Sequence, residues 1–275
     1  MTIPPAFPND AALMTLWTVI ILGIVEGLTE FLPVSSTGHL ILAGHAMGFS
    51  GELATSFEIA IQLGSILSVV VYFRQRLWDL LQRLPTDPAS RRLVLGIAMA
   101  FLPAAALGLA VHHWIELHLF GPITVAGALV VGGVIILIIE HTLTDRGTHG
   151  LERVELRQAW WVGIAQCFSL FPGVSRSGAT IMGGLLSGMD RSTATEFSFF
   201  LALPTMLAAT GYKILKSREL LLQGDPLLLP VGLTVAFLTG LLVIAGFLSF
   251  IKKHTFKPFA YYRIALGLVI LLLLR

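Results

Sequence analysis

The chain has 275 residues, of which 55% are hydrophobic and only 12% charged, and its formal net charge is +2. An ordinary soluble domain carries about 25% charged residues, so this chain cannot cover a water-soluble fold and belongs in lipid. No basic run with interleaved aromatics marks a nucleic-acid surface, and the single cysteine, Cys167, excludes an intramolecular disulfide or a multi-cysteine metal cage and reads as a small buried packing residue.

Taken in chain order, the N-terminal MTIPPAFPND has no positively charged region ahead of the first apolar stretch, unlike a cleaved signal peptide. Ala11–Gly48 follows, apolar at both ends but interrupted by EGLTEFLPVSSTGH. Three segments long enough to cross a bilayer come next, at Phe57–Phe73, Leu93–Val111 and Phe120–Ile139, with charge gathered in Arg74–Arg92 between the first two. Beyond the polar His141–Arg157, Ala159–Gly188 is interrupted by SLFPGVSRSG, and its flanks, about 13 and 10 residues long, are too short to span. Phe197–Tyr212, Pro226–Ile251 and Pro258–Leu274 complete six crossings. The interrupted stretches read as re-entrant hairpins, pairs of short helices meeting at a Pro/Gly/Ser tip, a form that survives at membrane depth only inside protein or against a wet cavity. The expected fold is an all-α polytopic membrane protein with six transmembrane helices and two re-entrant helical hairpins, forming one membrane domain over residues 1–275.

The halves align without a gap at an offset of 140: GIVEGLTEFLPVSSTGHLI from Gly23 lies over GIAQCFSLFPGVSRSGATI from Gly163. Between Gly23–Tyr72 and Gly163–Tyr212 there are 15 identities, among them Gly44/Gly184, Gly48/Gly188, Thr55/Thr195, Phe57/Phe197 and Tyr72/Tyr212. Duplication is the economical reading, with one repeat over about 11–140 and the other over about 151–275. Each unit holds a hairpin and three crossings. Three is odd, so the second unit enters from the opposite side, an inverted-topology repeat that places its site at the repeat interface near the midplane. Five Lys/Arg in Arg74–Arg92, against none in Met47–Ser56, put the N-terminus outside and the Arg74–Arg92, His141–Arg157 and Lys252–Lys257 loops in the cytoplasm; Lys213–Arg218 argues mildly against this.

Glu26 and Glu30 stand four apart on one helix face in an otherwise uncharged stretch. Like charges there repel, so one is protonated or a cation sits between them; the bland alternative is a pair of helix-end carboxylates facing interfacial water. Oxygen ligands of this kind suit a hard divalent cation. Next come Ser35, Ser36, Thr37, Gly38 and His39: hydroxyls, a flexible residue and an imidazole within nine residues of Glu30, the ingredients of an activated nucleophile and equally of a hydroxyl-rich helix cap. The matching tip runs Pro172, Gly173, Val174, Ser175, Arg176, Ser177, Gly178, Ala179, Thr180. Arg176 takes the place of Ser36, and an arginine at a Ser/Gly turn opening a helix is a phosphate receptor, or else the structural partner of Glu26 or Glu30. Pseudo-symmetry brings Ser36 and Arg176 into one pocket. Elsewhere, Thr193–Glu196 reads as a capping box with a structural Glu196. His112, His113 and His118 read as interfacial, and Glu58 and Gln62 either line the cavity or bond another helix.

At these residues the chain resembles the BacA/UppP family of undecaprenyl-diphosphate phosphatases over nearly its whole length. The family's Glu/Gln-x-x-x-Glu motif is matched by Glu26 and Glu30, its Ser-Ser-Thr-Gly-His by Ser35 to His39, and its Pro-Gly-x-Ser-Arg-Ser-x-x-Thr by Pro172 to Thr180. The resemblance implies removal of the terminal phosphate from undecaprenyl diphosphate, which recycles the lipid carrier of cell-wall synthesis and confers bacitracin resistance. It also implies a divalent cation, Mg²⁺ or Ca²⁺, a place in the bacterial inner membrane with the site opening to the periplasm, and Ser36 as nucleophile supported by carboxylate, histidine and arginine. On this reading Ser36, Glu30, His39 and Arg176 are catalytic. Ser35, Thr37, Gly173, Ser175, Ser177 and Thr180 bind phosphate, and Glu26 and Glu30 hold the cation. The partner is a polyprenyl diphosphate in a lipid bilayer, and a homodimer is compatible with the reading. An alternative makes His39 the nucleophile. Another functional class, a polyprenyl-phosphate flippase or transporter, would use the same inverted-repeat site without chemistry. The phosphatidic-acid-type phosphatases share a Ser-Gly-His-like run, but no histidine closely follows Ser175-Arg176.

Overall fold

The computed structural model describes residues 14–119, 121–143, 147–221 and 225–273. The segment before residue 14, Phe120, part of the His141–Arg157 loop, Leu274, and the side chains of His112 and Arg218 lie outside the described residues. Everything described is helix or connection. In chain order the helices are α1 (Leu16–Thr29), α2 (Ser36–Ala46), α3 (Glu52–Tyr72), α4 (Arg74–Arg83), α5 (Pro88–Leu119), α6 (Pro122–Thr142), α7 (Leu156–Cys167), α8 (Arg176–Leu186), α9 (Arg191–Leu221), α10 (Leu228–Ile251) and α11 (Lys257–Leu273).

Five of these, α3, α5, α6, α9 and α10, are long and apolar enough to cross a membrane. They account for five of the six segments expected to span. The sixth, α11, has 17 described residues, about 26 Å at 1.5 Å per residue. Apolar side chains such as Leu109, Leu215, Leu242 and Leu273 stand on the outer surface while Glu26, Glu30, Ser65, Gln166 and Arg263 are buried, the inverse of a soluble fold. The outline is that of a polytopic membrane protein.

Short helices carry the two tips. α1 ends at Thr29 with Glu30 as its C-cap and α2 begins at Ser36, with Phe31–Ser35 as the tip between them. α7 runs into a 3-10 turn, Phe168–Leu170, and α8 begins at Arg176 after the second tip. Close approach is set by small residues: a Cβ on Gly23 would meet the Gly232 carbonyl of α10 at 2.9 Å, and one on Gly163 would meet Ala100 of α5 at 2.8 Å. In lipid, where apolar burial gives helices no drive to associate, such backbone contact is the main source of packing energy. Thus α1 lies on α10 and α7 lies on α5.

One end of the bundle is tied by charge. Arg76 of α4 donates to Glu196 at 2.5 Å and to Glu152 at 2.9 Å. Arg191 grips Glu140 at 2.6 and 3.1 Å, and Glu140 also accepts from the Phe256 amide at 2.7 Å. α4 itself buries no residue and exposes Trp78, as an amphipathic helix lying in a membrane interface does.

Two local expectations are corrected, the capping box on α9 and the burial of Cys167. The capping box at Thr193–Glu196 is not used, because α9 starts earlier, at Arg191, and the Asp190 carboxylate takes the Thr193 amide at 2.6 Å. Glu196 is structural as expected, but through its ion pair with Arg76. A capping box does occur, unforeseen, at Glu155 and Gln158 on α7. Cys167 is only half-buried.

Candidate functional site

Ser35 and Ser175 are the described non-glycine residues with positive φ, at 72° and 76°. That conformation costs an L-residue about 1–2 kcal/mol, and each serine recovers part of it as an N-cap. Ser35 Oγ accepts from the Gly38 amide at 3.4 Å and Ser175 Oγ from the Gly178 amide at 3.1 Å. Both turns therefore deliver the next residue, Ser36 or Arg176, as the first residue of a helix. Free N–H groups gather at such a helix start, which favours anions. At the second tip Gly173 adopts φ 91°, and a Cβ there would lie 2.6 Å from the Val125 carbonyl of α6, so the tip needs glycine on both counts.

The tips meet. Ser177 Oγ donates across to the Leu32 carbonyl at 2.8 Å. Ser36 Oγ donates to Glu30 Oε2 at 2.5 Å, and Arg176 Nη2 donates to Glu30 Oε1 at 3.2 Å. One carboxylate thus bridges the hydroxyl of the first tip and the guanidinium of the second, all three largely buried. Arg176 Nη1 is held by the Ser198 carbonyl at 3.1 Å, while its Nε is buried without a partner. The hydroxyl is beside a base and the arginine keeps a donor in hand.

The other expected residues make contacts of their own. His39 Nδ1 donates to the Ser35 carbonyl at 2.7 Å, which leaves Nε2 of the neutral ring to accept from Tyr262 at 2.6 Å. His39 is three residues after Ser36 on α2, with its ring bonded to Tyr262 and not to the Ser36–Glu30–Arg176 group. Ser175 and Ser177 hydroxyls are 3.0 Å apart, and Thr180 bonds the Arg176 carbonyl and Ser198 Oγ at 2.8 and 2.7 Å. These three therefore build the second tip. Thr37 is half-buried. Gln62 accepts from Thr210 of α9 at 3.3 Å, the helix-to-helix role, and Glu58 lies against Gly44 of α2. His118 is exposed and stacks on Trp114.

Glu26, fully buried one turn before Glu30, accepts from Ser65 at 3.0 Å through Oε1, while Oε2 has no partner. Among the described residues no group of three His, Cys, Asp or Glu side chains converges as a closed metal cage. An orphaned carboxylate oxygen beside a second carboxylate still suits a hard cation that completes its shell with water and phosphate oxygens, as Mg²⁺ does.

Sequence reasoning passed over Ser65, Ser198, Tyr262 and Arg263. A polar residue inside an apolar span is itself a signal, strongest for Arg263, a lone charge within Pro258–Leu274.

Fold and site together define a class: a polytopic helical membrane protein whose polar centre is built where two broken helices meet. Comparison with known proteins narrows it. The family described as "Bacitracin resistance protein BacA" matches residues 19–269, and the chain belongs to that family. It is 51% identical over 260 residues to an undecaprenyl-diphosphatase of Maridesulfovibrio salexigens, covering 94% of this chain and 98% of that one. It is 48% identical over 255 residues to an undecaprenyl-diphosphatase of Caldanaerobacter subterraneus subsp. tengcongensis, covering 92% and 94%. A Pseudomonas fluorescens relative named undecaprenyl-diphosphatase 1 is 48% identical over 261 residues, covering 94% and 95%.

Proposed function

We propose that this chain is an integral membrane phosphatase that hydrolyses undecaprenyl diphosphate to undecaprenyl phosphate and inorganic phosphate, recycling the lipid carrier of cell-wall synthesis and thereby conferring bacitracin resistance. The observation that carries the reading is the Glu30 carboxylate bonded at once to Ser36 Oγ and Arg176 Nη2. Anion transport has no need of a hydroxyl held 2.5 Å from a buried base.

The chemistry runs in two displacements. Arg176 and the free N–H groups at the starts of α2 and α8 bind the terminal phosphate, and the guanidinium stabilises charge on its oxygens in a loose, in-line transition state. Ser36 Oγ forms a bond to the terminal phosphorus as its proton passes to Glu30, and the bond from that phosphorus to the bridging oxygen breaks, releasing undecaprenyl phosphate. Water then attacks the phosphoserine and passes a proton to His39 Nε2, the bond from phosphorus to Ser36 Oγ breaks, Oγ takes back the proton held by Glu30, and phosphate leaves. Glu26, with Glu30, would hold a Mg²⁺ or Ca²⁺ ion that neutralises diphosphate charge when bound.

The same reading takes the two tips as copies in an inverted-topology repeat of six crossings and two re-entrant hairpins, with residues 11–140 and 151–275 as the units. Helix starts support it: α2 and α8 begin at 36 and 176, and α5 and α10 at 88 and 228, each pair 140 apart. Buried contacts repeat too, since Glu26–Ser65 matches Gln166–Thr205 at the same offset. The basic Arg74–Arg92 segment favours a cytoplasmic placement for that end of the bundle, in a bacterial inner membrane with the first tip entering from the periplasm.

The test is phosphate release from undecaprenyl diphosphate by purified protein in detergent micelles, where no transbilayer gradient exists. Wild type is expected to release phosphate in a cation-dependent manner and Ser36→Ala to lose at least about 10³-fold in turnover. A folded wild-type protein that releases none would contradict the phosphatase reading and return the flippase alternative.

A further inference from the structure

Arg263 lies on α11, outside both tips, with 1% of its surface exposed. Its Nε donates to the Leu129 carbonyl at 3.4 Å. Nη1 donates to Pro33 and Val174 at 3.1 and 2.9 Å, and Nη2 to Ala128 and Gly173 at 3.1 and 3.1 Å. A guanidinium has five N–H donors, and here all five end on backbone carbonyls. None is left for a phosphate, which sets Arg263 apart from Arg176 and its unpartnered Nε.

The fit is built from both sides. A Cβ on Gly132 of α6 would lie 2.2 Å from Nη2, and one on Gly178 of α8 would lie 3.1 Å from Nη1, so two glycines make room for the planar group. The carbonyls it gathers belong to three separate segments: α6, the first tip and the second tip. Lysine, with one nitrogen and no fork, cannot reach them all.

The consequence lies in the peptide planes. A trans peptide carries its C=O and the following N–H on opposite sides. Drawing the Pro33, Gly173 and Val174 carbonyls onto Arg263 turns the amides of Val34, Val174 and Ser175 away from it. Val34 and Val174 amides close onto Leu32 and Phe171 at 2.7 and 3.2 Å, so the backbone just ahead of Ser35 and Ser175 is held in one conformation. Those serines then take their left-handed φ and aim Ser36 and Arg176 at Glu30.

We infer that Arg263 is a positioning residue that fixes the two tips against each other and so sets the reacting geometry of Ser36 and Arg176. The inference rests on the phosphatase reading for its effect on turnover, but its structural half can be tested alone. Two variants are compared with wild type: Arg263→Lys, which keeps the charge and loses the fork, and Gly132→Ala, which keeps the arginine and pushes it off its seat. Amide hydrogen exchange is followed in peptides covering 33–38 and 173–178, together with kcat and KM on undecaprenyl diphosphate. Exchange is expected to rise at least tenfold in both tips at once in the folded variants. An ångström-scale misplacement should lower kcat about 100-fold, with KM changed less than threefold because Arg263 touches no substrate. Guanidinium added to Arg263→Ala should restore turnover where ethylammonium does not. Unchanged exchange in both tips, or kcat within twofold of wild type, overturns the inference. A wild type without phosphatase activity sinks the functional reading instead, and the exchange result still decides whether Arg263 holds the tips.

Discussion

At the first tip the polar groups face one another: Ser36 on Glu30, Glu26 one turn earlier with an orphaned oxygen, and His39 just beyond. At the second tip the same backbone turn, with Ser175 at φ 76° against 72° for Ser35, delivers an arginine and spends its hydroxyls on packing the tip itself. Backbone and cap are shared while the side chains differ; in the proposed function the first tip holds the reactive groups and the second the anion receptor. A duplicated element can divide its chemistry this way because the turn depends on the cap and the left-handed residue, leaving the following position free to vary.

If the second tip serves as the anion receptor, changes at Arg176 should have the largest effect among changes that spare the first tip. Arg176→Ala is expected to lower kcat about 10³-fold or more, the scale of a transition-state arginine. It also leaves Glu30 buried without its guanidinium, so Arg176→Lys, which keeps the charge, is the companion to assay. A smaller but measurable loss, read as kcat/KM for phosphate release, is expected there.

Glu26 and Gln166 sharpen the comparison because they hold equivalent places, bonded to Ser65 and Thr205 respectively. Glu26→Gln makes the first half resemble the second; activity should fall about 10- to 100-fold and the divalent-cation concentration for half-maximal rate should rise. The reverse change removes the Gln166 Nε2 donor from the Ala100 carbonyl and sets a carboxylate against it. Gln166→Glu should therefore cost about 1–3 kcal/mol of stability, seen as a lower melting temperature in detergent. An effect on stability from Glu26→Gln as large as that of Gln166→Glu would erase the distinction between the two positions.

The smallest effects should come from the shared turn. Ser35→Gly and Ser175→Gly each lose a cap, worth a few tenths of a kcal/mol against glycine, and each relieve a left-handed φ. Stability read from thermal melts should change by less than about 1 kcal/mol in either, whereas alanine at the same places loses the cap and keeps the strain. A large loss in only one glycine variant would show that the turns are not equivalent.

Much of this was legible in the chain before its coordinates. Two polar tips inside apolar sequence stand out because lipid tolerates so few polar groups, and the offset of 140 pairs Ser36 with Arg176 by position alone. What sequence spacing cannot supply is which groups bond across the interface. Glu30 rather than Glu26 bridges the tips, His39 turns to Tyr262, and Asp190 rather than Thr193 caps α9. Tyr262 and Arg263 went unread because they lie more than eighty residues beyond the second motif, and nothing local marks a contact at that separation.

The division of labour is tested most directly by trapping the intermediate. Undecaprenyl diphosphate carrying a radiolabelled terminal phosphate is mixed with the protein, the reaction is quenched within a turnover, and the labelled peptide is mapped. Label on the peptide holding Ser36, stable to acid and absent from Ser36→Ala, is the predicted result. Acid-labile label on His39, or label that survives Ser36→Ala, would contradict it.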